Sequence, residues 1–318
     1  MKHKPIFLLA VIVLLSACGQ SYEEKVRLSR AERARLAQEE AAALKVAVLP
    51  TLDCMPVYLA KQKHWYDSTQ VDLRLKVRNT QIDCDTALKG KSVEVAVTDL
   101  KRVENMTKHG VGLLTMGPTD AYWQLIANRT ARVKTAAQLG DKMVAMTRYS
   151  ATDYLTDKAL DGVKTSAPVF RVQINDVLIR LDMLKNNEMD AMWLTEPQAT
   201  TARMFKHTVI EDSRKMKEHL GVVVAGAHLM KDKKRVKQLT AFVEGYNRAC
   251  DSLNHYGVKH YADLVKAVCH TDDKTIDRLP KYSYPHIALS RRSENRLYIL
   301  PQSLTEIIIN IDQVDPSA

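Results

Sequence analysis

The stretch K-V-A-V-L at residues 45–49 decides the fold, because it has the length and apolar character of a buried β-strand and is the first part of a repeated unit. A polar loop at 51–53 comes next and leads into an apolar-periodic segment of helix length. The same order recurs from Lys142, where K-M-V-A-M precedes a polar loop at 147–152 and a second helix-like segment. A strand, loop and helix that occur twice in the same order predict an α/β protein.

Each unit continues with a second strand-like run, V-D-L-R-L-K-V at 71–77 and V-F-R-V-Q-I at 169–174. Each then closes with a short apolar strand, a threonine and an acid, in E-V-A-V-T-D at 94–99 and D-A-M-W-L-T-E at 190–196. The pattern is therefore repeated although the side chains differ. Two similar lobes predict a cleft between them, lined by the strand-end loops that hold small ligands in α/β sheets.

The chain has 318 residues, which is too long for one ordinary core. We expect lobe one over 44–120 plus 221–318 and lobe two over 121–220. The chain would cross between them near 117–128 and 220–227, and these two crossings would form a hinge. The run G-V-V-V-A-G-A at 221–227 predicts a buried strand that returns to lobe one, before a long helix over 231–255. The tail over 287–312 ends in the helix-like run L-T-E-I-I-I-N-I.

The N-terminus carries an export pattern. Lys2 and Lys4 precede an unbroken apolar run at 6–15, which is too short for a comfortable membrane span. Leu15-Ser16-Ala17-Cys18 resembles a bacterial lipobox, in which cleavage precedes the cysteine and its thiol carries diacylglycerol. We expect a signal peptide over 1–17 and a lipidated Cys18; an ordinary signal peptide with a chance cysteine is the alternative. Residues 18–43 would form a charged helical spacer between the lipid and the body. The protein would therefore be a membrane-anchored lipoprotein, periplasmic or on the cell surface.

Composition and motifs exclude several classes of function. The net charge is +10 but is spread along the chain, and no basic stripe interleaved with aromatics predicts a nucleic-acid partner. The sequence has no H-E-x-x-H, no G-x-S-x-G and no phosphate loop. We therefore expect no catalytic residue, no metal site and no cofactor.

Four cysteines remain after Cys18, at positions 54, 84, 250 and 269. An even number in an oxidising compartment favours two disulfides. Cys54 and Cys84 follow two strands that would be adjacent and parallel, and Cys250 and Cys269 lie near the facing ends of two predicted helices. The pairs 54–84 and 250–269 are therefore expected. The alternatives are four free buried thiols or a thiolate metal site, although the close spacing that metal sites prefer is missing.

Four segments together resemble one protein family. They are V-A-V-L-P-T-L-D-C-M-P-V-Y-L-A-K-Q-K at 46–63, G-K-S-V-E-V-A-V-T-D at 90–99, N-E-M-D-A-M-W-L-T-E-P at 187–197 and L-M-K-D-K-K-R-V-K-Q-L-T-A-F-V-E-G-Y at 229–246. In order and spacing they resemble substrate-binding proteins of ABC transporters in the nitrate, sulfonate, taurine and thiamine-precursor group. The resemblance covers about 44–255 and implies a two-lobed type II periplasmic-binding-protein fold. The chain departs from the family pattern at Asn187, where glycine is usual, and at His64-Trp65, where glycine followed by leucine or phenylalanine is usual.

The candidate ligand-binding residues lie at strand ends and helix starts. Backbone N–H groups at helix N-termini bind anionic or polar groups, whereas carboxylates there favour a ligand with N–H donors such as an amine, amidine or aminopyrimidine. Capping of the helices is the competing role of these residues. Trp123 and Trp193 could stack on a planar ligand, although single tryptophans are more often core residues. The predicted contacts are Thr51, Asp53, Thr98, Asp99, Ser150, Thr152, Trp193 and Glu196.

These expectations combine into a functional prediction. The protein would be a monomeric extracytoplasmic lipoprotein that captures a small polar molecule and delivers it to an ABC permease in the inner membrane. One rival is an enzyme on the same scaffold, similar to menaquinone-pathway lyases; these are cytoplasmic, which the export pattern argues against. A second rival is a lipoprotein that senses a ligand without transporting it.

Overall fold

A computed structural model describes residues 30–289. Its contacts divide the chain into a unit that ends at Ala43 and a unit that begins at Leu44. The first contains helix α1, Arg30–Ala42, whose side chains from 32 to 39 are exposed. Its alanines, glutamates and arginines are strong helix formers, and an Arg35–Glu39 ion pair adds a little at the surface. The helix predicted for the spacer is thus present over this range, while Cys18 and the signal region lie outside the described residues.

The second unit is built on two five-stranded sheets. The first has the order β2-β1-β3-β10-β4 and the second the order β7-β6-β8-β5-β9. The strands of the first sheet are β1 Leu44–Val48, β2 Leu73–Val77, β3 Val95–Asp99, β4 Leu113–Pro118 and β10 Gly221–Gly226. Those of the second are β5 Gln124–Ala127, β6 Met143–Met146, β7 Phe170–Gln173, β8 Ala191–Leu194 and β9 Thr208–Asp212.

Strand pairing confirms the repeat seen in the sequence. β1 is parallel to β2 and β3, and β6 is parallel to β7 and β8 in the same arrangement. Each sheet is completed by one antiparallel strand that arrives from the other sheet. That strand is β10 in the first sheet, between β3 and β4, and β5 in the second, between β8 and β9. The α/β fold with two mixed sheets joined by two crossings is therefore confirmed.

Helices cover the sheets of the second unit. The longest, α8, begins at Lys233, where the Asp232 side chain accepts from two backbone N–H groups, and ends before Gly257. The prediction of a long helix over 231–255 is confirmed to within two residues. The helices of the second unit are α2 Met55–Gln62, α3 Gln81–Lys89, α4 Leu100–Lys108, α5 Ala151–Leu160, α6 Val177–Lys185, α7 Gln198–Met204, α8 Lys233–Tyr256, α9 Ala262–Cys269 and α10 Asp273–Asp277.

Both departures from the family's glycines fall where the backbone is left-handed. His64 has a φ of 53° and Asn187 a φ of 61°, and each follows the end of a helix. Glycine is usual in this conformation because it lacks a Cβ, and Asn and His are among the residues that tolerate it best. The substitutions therefore keep the local fold.

The two crossings between the sheets touch each other. The Thr119 N–H donates to the Gly221 carbonyl at 2.9 Å, and the Ser213 N–H donates to the Trp123 carbonyl at 2.9 Å. A Cβ on Gly221 would lie 2.1 Å from Thr119 Oγ1 and 2.6 Å from Ala121 Cβ, so this position admits only glycine without rearrangement. The crossings thus run as a bonded pair.

The structure corrects the prediction of two disulfides. All four cysteines are free thiols buried in the hydrophobic core. Cys54 Sγ accepts from the Leu49 N–H at 3.4 Å, and Cys250 Sγ donates to the Pro285 carbonyl at 3.5 Å. Burial raises the pKa of the Cys84 thiol to about 12, which disfavours the thiolate that disulfide exchange needs. The cysteines act here as small apolar core residues, which was the first alternative.

Across residues 30–289 the structure has no helix that combines the length and the apolar character needed to cross a membrane. The helix-like run predicted in the tail at 304–311 lies outside the described residues.

Candidate functional site

A small cavity lies between the two sheets, with a volume of about 50 Å³ for the centre of a water molecule, and it is partly open to solvent. The carboxyl ends of the parallel strands in both sheets face it, because most of the residues that line it are the last residues of β3 or come after β1, β2, β6, β7 and β8. The lining residues are Leu49, Thr51, Asp53, Gln81, Thr98, Asp99, Trp123, Thr147, Ser150, Thr152, Asn175, Val177, Arg180 and Thr195.

Six of the eight residues predicted from the sequence line this cavity. The first sheet contributes four and the second sheet two, so the structure brings both halves of the predicted set together. They are Thr51, Asp53, Thr98, Asp99, Ser150 and Thr152. Their contact with a ligand stays a prediction.

Trp193 and Glu196 lie away from the cavity lining. Trp193 is fully buried within β8, and its indole N–H donates to Thr156 Oγ1 at 2.9 Å. Glu196 is also fully buried, and it accepts from Tyr122 Oη at 2.6 Å and from Arg203 at 2.8 Å. Both therefore have internal partners that account for them.

Asp99 links the two walls of the cavity. Its Oδ1 accepts from the Arg102 N–H at 3.0 Å, as the cap of α4, and from the Ala151 N–H at 3.0 Å, at the first residue of α5. Burial raises the pKa of Asp99 to about 7, against the opposing influence of the Arg102 guanidinium and of these hydrogen bonds. A carboxyl group of the first sheet therefore occupies the N-terminus of a helix that belongs to the second.

The loop before α5 satisfies its own polar groups. Ser150 Oγ caps the helix by accepting from the Thr152 N–H at 3.1 Å, and it donates to the Thr147 carbonyl at 2.6 Å. Thr152 Oγ1 accepts from the Thr147 N–H at 2.9 Å. The capping role considered for Ser150 is present, and these backbone N–H groups already have acceptors inside the protein.

Arg180 is a cavity residue that sequence reasoning missed. It lies in α6 and is buried, and its guanidinium donates to the Ile174 carbonyl at 2.7 Å, to the Trp193 carbonyl at 3.2 Å and to Thr147 Oγ1. Desolvation lowers its pKa to about 10. An arginine inside a helix is usually exposed, so no local signal in the sequence places this one in the cavity.

Asp53 lies on the opposite side of the cavity and has no cation beside it. Burial raises its pKa, and only the Thr51 hydroxyl and its own backbone N–H act in the opposite direction. Over the part of the chain that the structure describes, no Lys, Arg or His forms an ion pair with Asp53. Two other lining groups, Asn175 Oδ1 and Thr195 Oγ1, are buried without a hydrogen-bond partner.

The two sides of the cavity also touch outside the lining. The Leu52 N–H donates to the Glu196 carbonyl at 3.0 Å, and the Val177 N–H donates to the Asn79 carbonyl at 3.1 Å. Gln198 Nε2 donates to the Pro50 carbonyl at 2.9 Å. These hydrogen bonds join loops of one sheet directly to loops of the other.

The described residues offer no evident metal site. Between residues 30 and 289 no group of three or more His, Cys, Asp or Glu side chains is placed to hold a metal ion. The cavity has the chemistry of hydrogen-bonding recognition, with two acids, one arginine, hydroxyls, amides and Trp123.

Comparison with solved structures confirms the fold that the resemblance implied. The ligand-binding component of an ABC-type import system from Staphylococcus aureus, solved with zinc bound, is similar over 85% of this chain and 91% of its own, with 15% identity and a TM-score of 0.67. The alkanesulfonate-binding protein SsuA from Xanthomonas axonopodis pv. citri, bound to MOPS, is similar over 85% of this chain and 91% of its own, with 14% identity and a TM-score of 0.67. The periplasmic nitrate-binding protein NrtA from Synechocystis PCC 6803 is similar over 76% of this chain and 71% of its own, with 12% identity and a TM-score of 0.63. No family model and no curated protein matches the sequence.

Proposed function

We propose that this protein is an extracytoplasmic solute-binding protein that captures a small polar molecule and hands it to an ABC permease. The observation that carries the proposal is the cavity between the strand ends of two similar sheets, where polar side chains from both sides converge. The likeness to binding components of import systems supports binding rather than catalysis. The partners would be the ligand and the permease, and the protein would act as a monomer.

Recognition would depend on closure of two lobes around the ligand. Residues 44–120 plus 221–318 would form one lobe and 121–220 the other, with the hydrogen-bonded crossings as the hinge. The hydrogen bonds that join Asp99 to Ala151 and Leu52 to Glu196 across the cavity are those expected of a closed arrangement. An open form would release these contacts and expose the cavity to solvent.

The six cavity residues predicted from the sequence would form the ligand-binding set together with Arg180, Asn175, Thr195 and Trp123. Glu196 and Trp193 would hold the frame of the second lobe. Their hydrogen bonds to Tyr122, Arg203 and Thr156 support this division of roles.

We also propose that the protein is tethered to a membrane through a lipid on Cys18. The apolar run at 6–15 and the lipobox-like residues before Cys18 support this, and the exposed helix α1 would separate the anchor from the body. Growth with an alkyne-labelled fatty acid should label the wild-type protein. Label that persists in Cys18→Ala would contradict lipidation at this position.

Ligand capture is tested by releasing whatever the protein holds. Protein purified from its own cells without denaturation would be compared before and after unfolding by native mass spectrometry. We expect one small molecule to be released at a stoichiometry near one.

Small-angle scattering of the emptied protein, with and without that molecule, tests closure. The radius of gyration should fall on binding. An unchanged profile at saturation would contradict closure, whereas a protein that holds no small molecule in its cells would count against solute binding itself.

A further inference from the structure

Several donors in the cavity wall already bond to acceptors of the protein, whereas three acceptors in the wall could still take a donor from a ligand. A ligand must complement the groups that remain free, because a buried polar group without a partner weakens binding. Which polar groups of the wall already have a partner within the protein therefore indicates the charge of the ligand.

The helix N-termini and the arginine of the wall, which could bind an anion, are occupied. The first N–H of α5 donates to Asp99 Oδ1, and the next donates to Ser150 Oγ. At α6 the first N–H donates to the Asn79 carbonyl, and the next two donate to the Asp176 side chain. The guanidinium of Arg180 is bound to two carbonyls and a hydroxyl. An oxyanion would have to displace these internal acceptors.

Three acceptors of the wall have no cationic partner among the described residues. Asp53 lines the cavity without a cationic partner among residues 30–289, and burial raises its pKa. Asn175 Oδ1 and Thr195 Oγ1, on the other wall, are buried without a donor. A group with several N–H donors placed between them would satisfy acceptors from both lobes, and a positive charge would neutralise the carboxylate.

We infer that the ligand is a small organic cation with two or more N–H donors, a primary ammonium or an amidinium, held by Asp53 from one lobe and by Asn175 and Thr195 from the other. Trp123 contributes an aromatic surface beside the same space, which suits a cation or a flat apolar group. This inference rests on the proposed solute-binding function and specifies its substrate class. The ligand would then differ in charge from those named for two structurally similar proteins, an alkanesulfonate-binding and a nitrate-binding protein.

Four probes of opposite charge test the inference. The emptied full-length protein, in detergent, is titrated by calorimetry with benzamidine, butylamine, benzenesulfonate and nitrate at pH 7.5. At least one of the two cations should bind, and the two anions should not. Asp53→Asn should weaken binding of the cation by about ten- to a hundredfold, because one charge-assisted hydrogen bond is lost.

Asp83→Asn is the matched control, because Asp83 is an exposed acid of the same lobe. It should leave cation binding unchanged, and the melting temperature of both variants reports whether they fold. Binding of an anion without either cation would overturn the inference and leave solute binding intact, as would cation binding that is equal in Asp53→Asn and the wild type. A protein that releases no molecule from its cells and binds none of the four probes would contradict the proposed function as well.

Discussion

Raising the pH should destabilise the folded protein through the carboxyl group of Asp99. Its pKa is raised from 3.8 to about 7, mainly because burial disfavours the charged form. Between pH 3.8 and about pH 7 the Asp99 carboxyl group is ionised in the unfolded chain and protonated in the folded protein. Stability from this group is therefore greatest at low pH and is lost as the pH rises towards 7.

The size of the effect follows from the pKa difference. Each pH unit over which only the folded state keeps the proton lowers the free energy of unfolding by about 1.4 kcal/mol. Between pH 5 and pH 8 this holds for about two units, from pH 5 to the folded pKa of about 7. The free energy of unfolding should therefore fall by about 3 kcal/mol over this interval. Asn at this position keeps an acceptor for the Arg102 and Ala151 N–H groups but does not titrate.

Urea unfolding of wild type and Asp99→Asn at several pH values measures the difference. Between pH 5 and pH 8 the free energy of unfolding of the variant should rise by about 3 kcal/mol relative to that of the wild type. Asp85, whose pKa burial also raises, is present in both proteins, so only its coupling to Asp99 remains in the difference. Asp83→Asn, which removes an exposed carboxylate, should follow the wild-type profile. Parallel profiles for wild type and Asp99→Asn would refute the reasoning.

Three further outcomes are expected. Gly221→Ala should lower the free energy of unfolding by about 1–3 kcal/mol in urea titrations, because its Cβ would overlap the other crossing; Gly112→Ala, whose Cβ meets its nearest neighbour at 3.5 Å, should change it by under about 1 kcal/mol. Equal losses would contradict the close approach. Arg203→Met should cost about 3–5 kcal/mol in the same assay, since it leaves the Glu196 carboxylate buried without its cation, and adding Glu196→Gln should recover part of this loss; no recovery would mean that the pair is not coupled. The four buried cysteines should resist iodoacetamide at pH 8 until the protein is unfolded, as counted by mass spectrometry, and rapid labelling of any of them in the native protein would contradict its burial.

The sequence predicts the central strands well because these strands are buried on both faces. Every residue of β1, β3, β8 and β10 is buried, and all but Lys45, Thr98 and Asp99 are apolar or glycine, so burial leaves little choice of side chain. β9, Thr208–Asp212, was not predicted, because it lies at the edge of its sheet and only its last residue is buried. Its apolar and polar residues do not form a run of the kind that indicates a strand.

The site was predicted where a topological rule applies and missed where distant pairing decides. Strand-end residues such as Thr51 and Ser150 reach the cavity because the ends of parallel strands share one edge of a sheet. Trp193 lies inside β8 rather than beyond its end, and Glu196 is drawn into the body by Tyr122, which is remote in sequence. The positions of the Glu196 and Arg180 side chains depend on hydrogen-bond partners that are distant in the sequence, and no local pattern indicates those partners.

The position of β10 also sets the order in which the molecule can assemble. β10 is the last strand in the described sequence, yet it lies inside the first sheet and is the strand that attaches β4 to β3. A chain that emerges N-terminus first from a ribosome or an export channel therefore has all five strands of the second sheet available before the first sheet can close. The second sheet can mature while the first is still divided. The cavity, which needs both sheets, can form only after β10 has joined the first sheet.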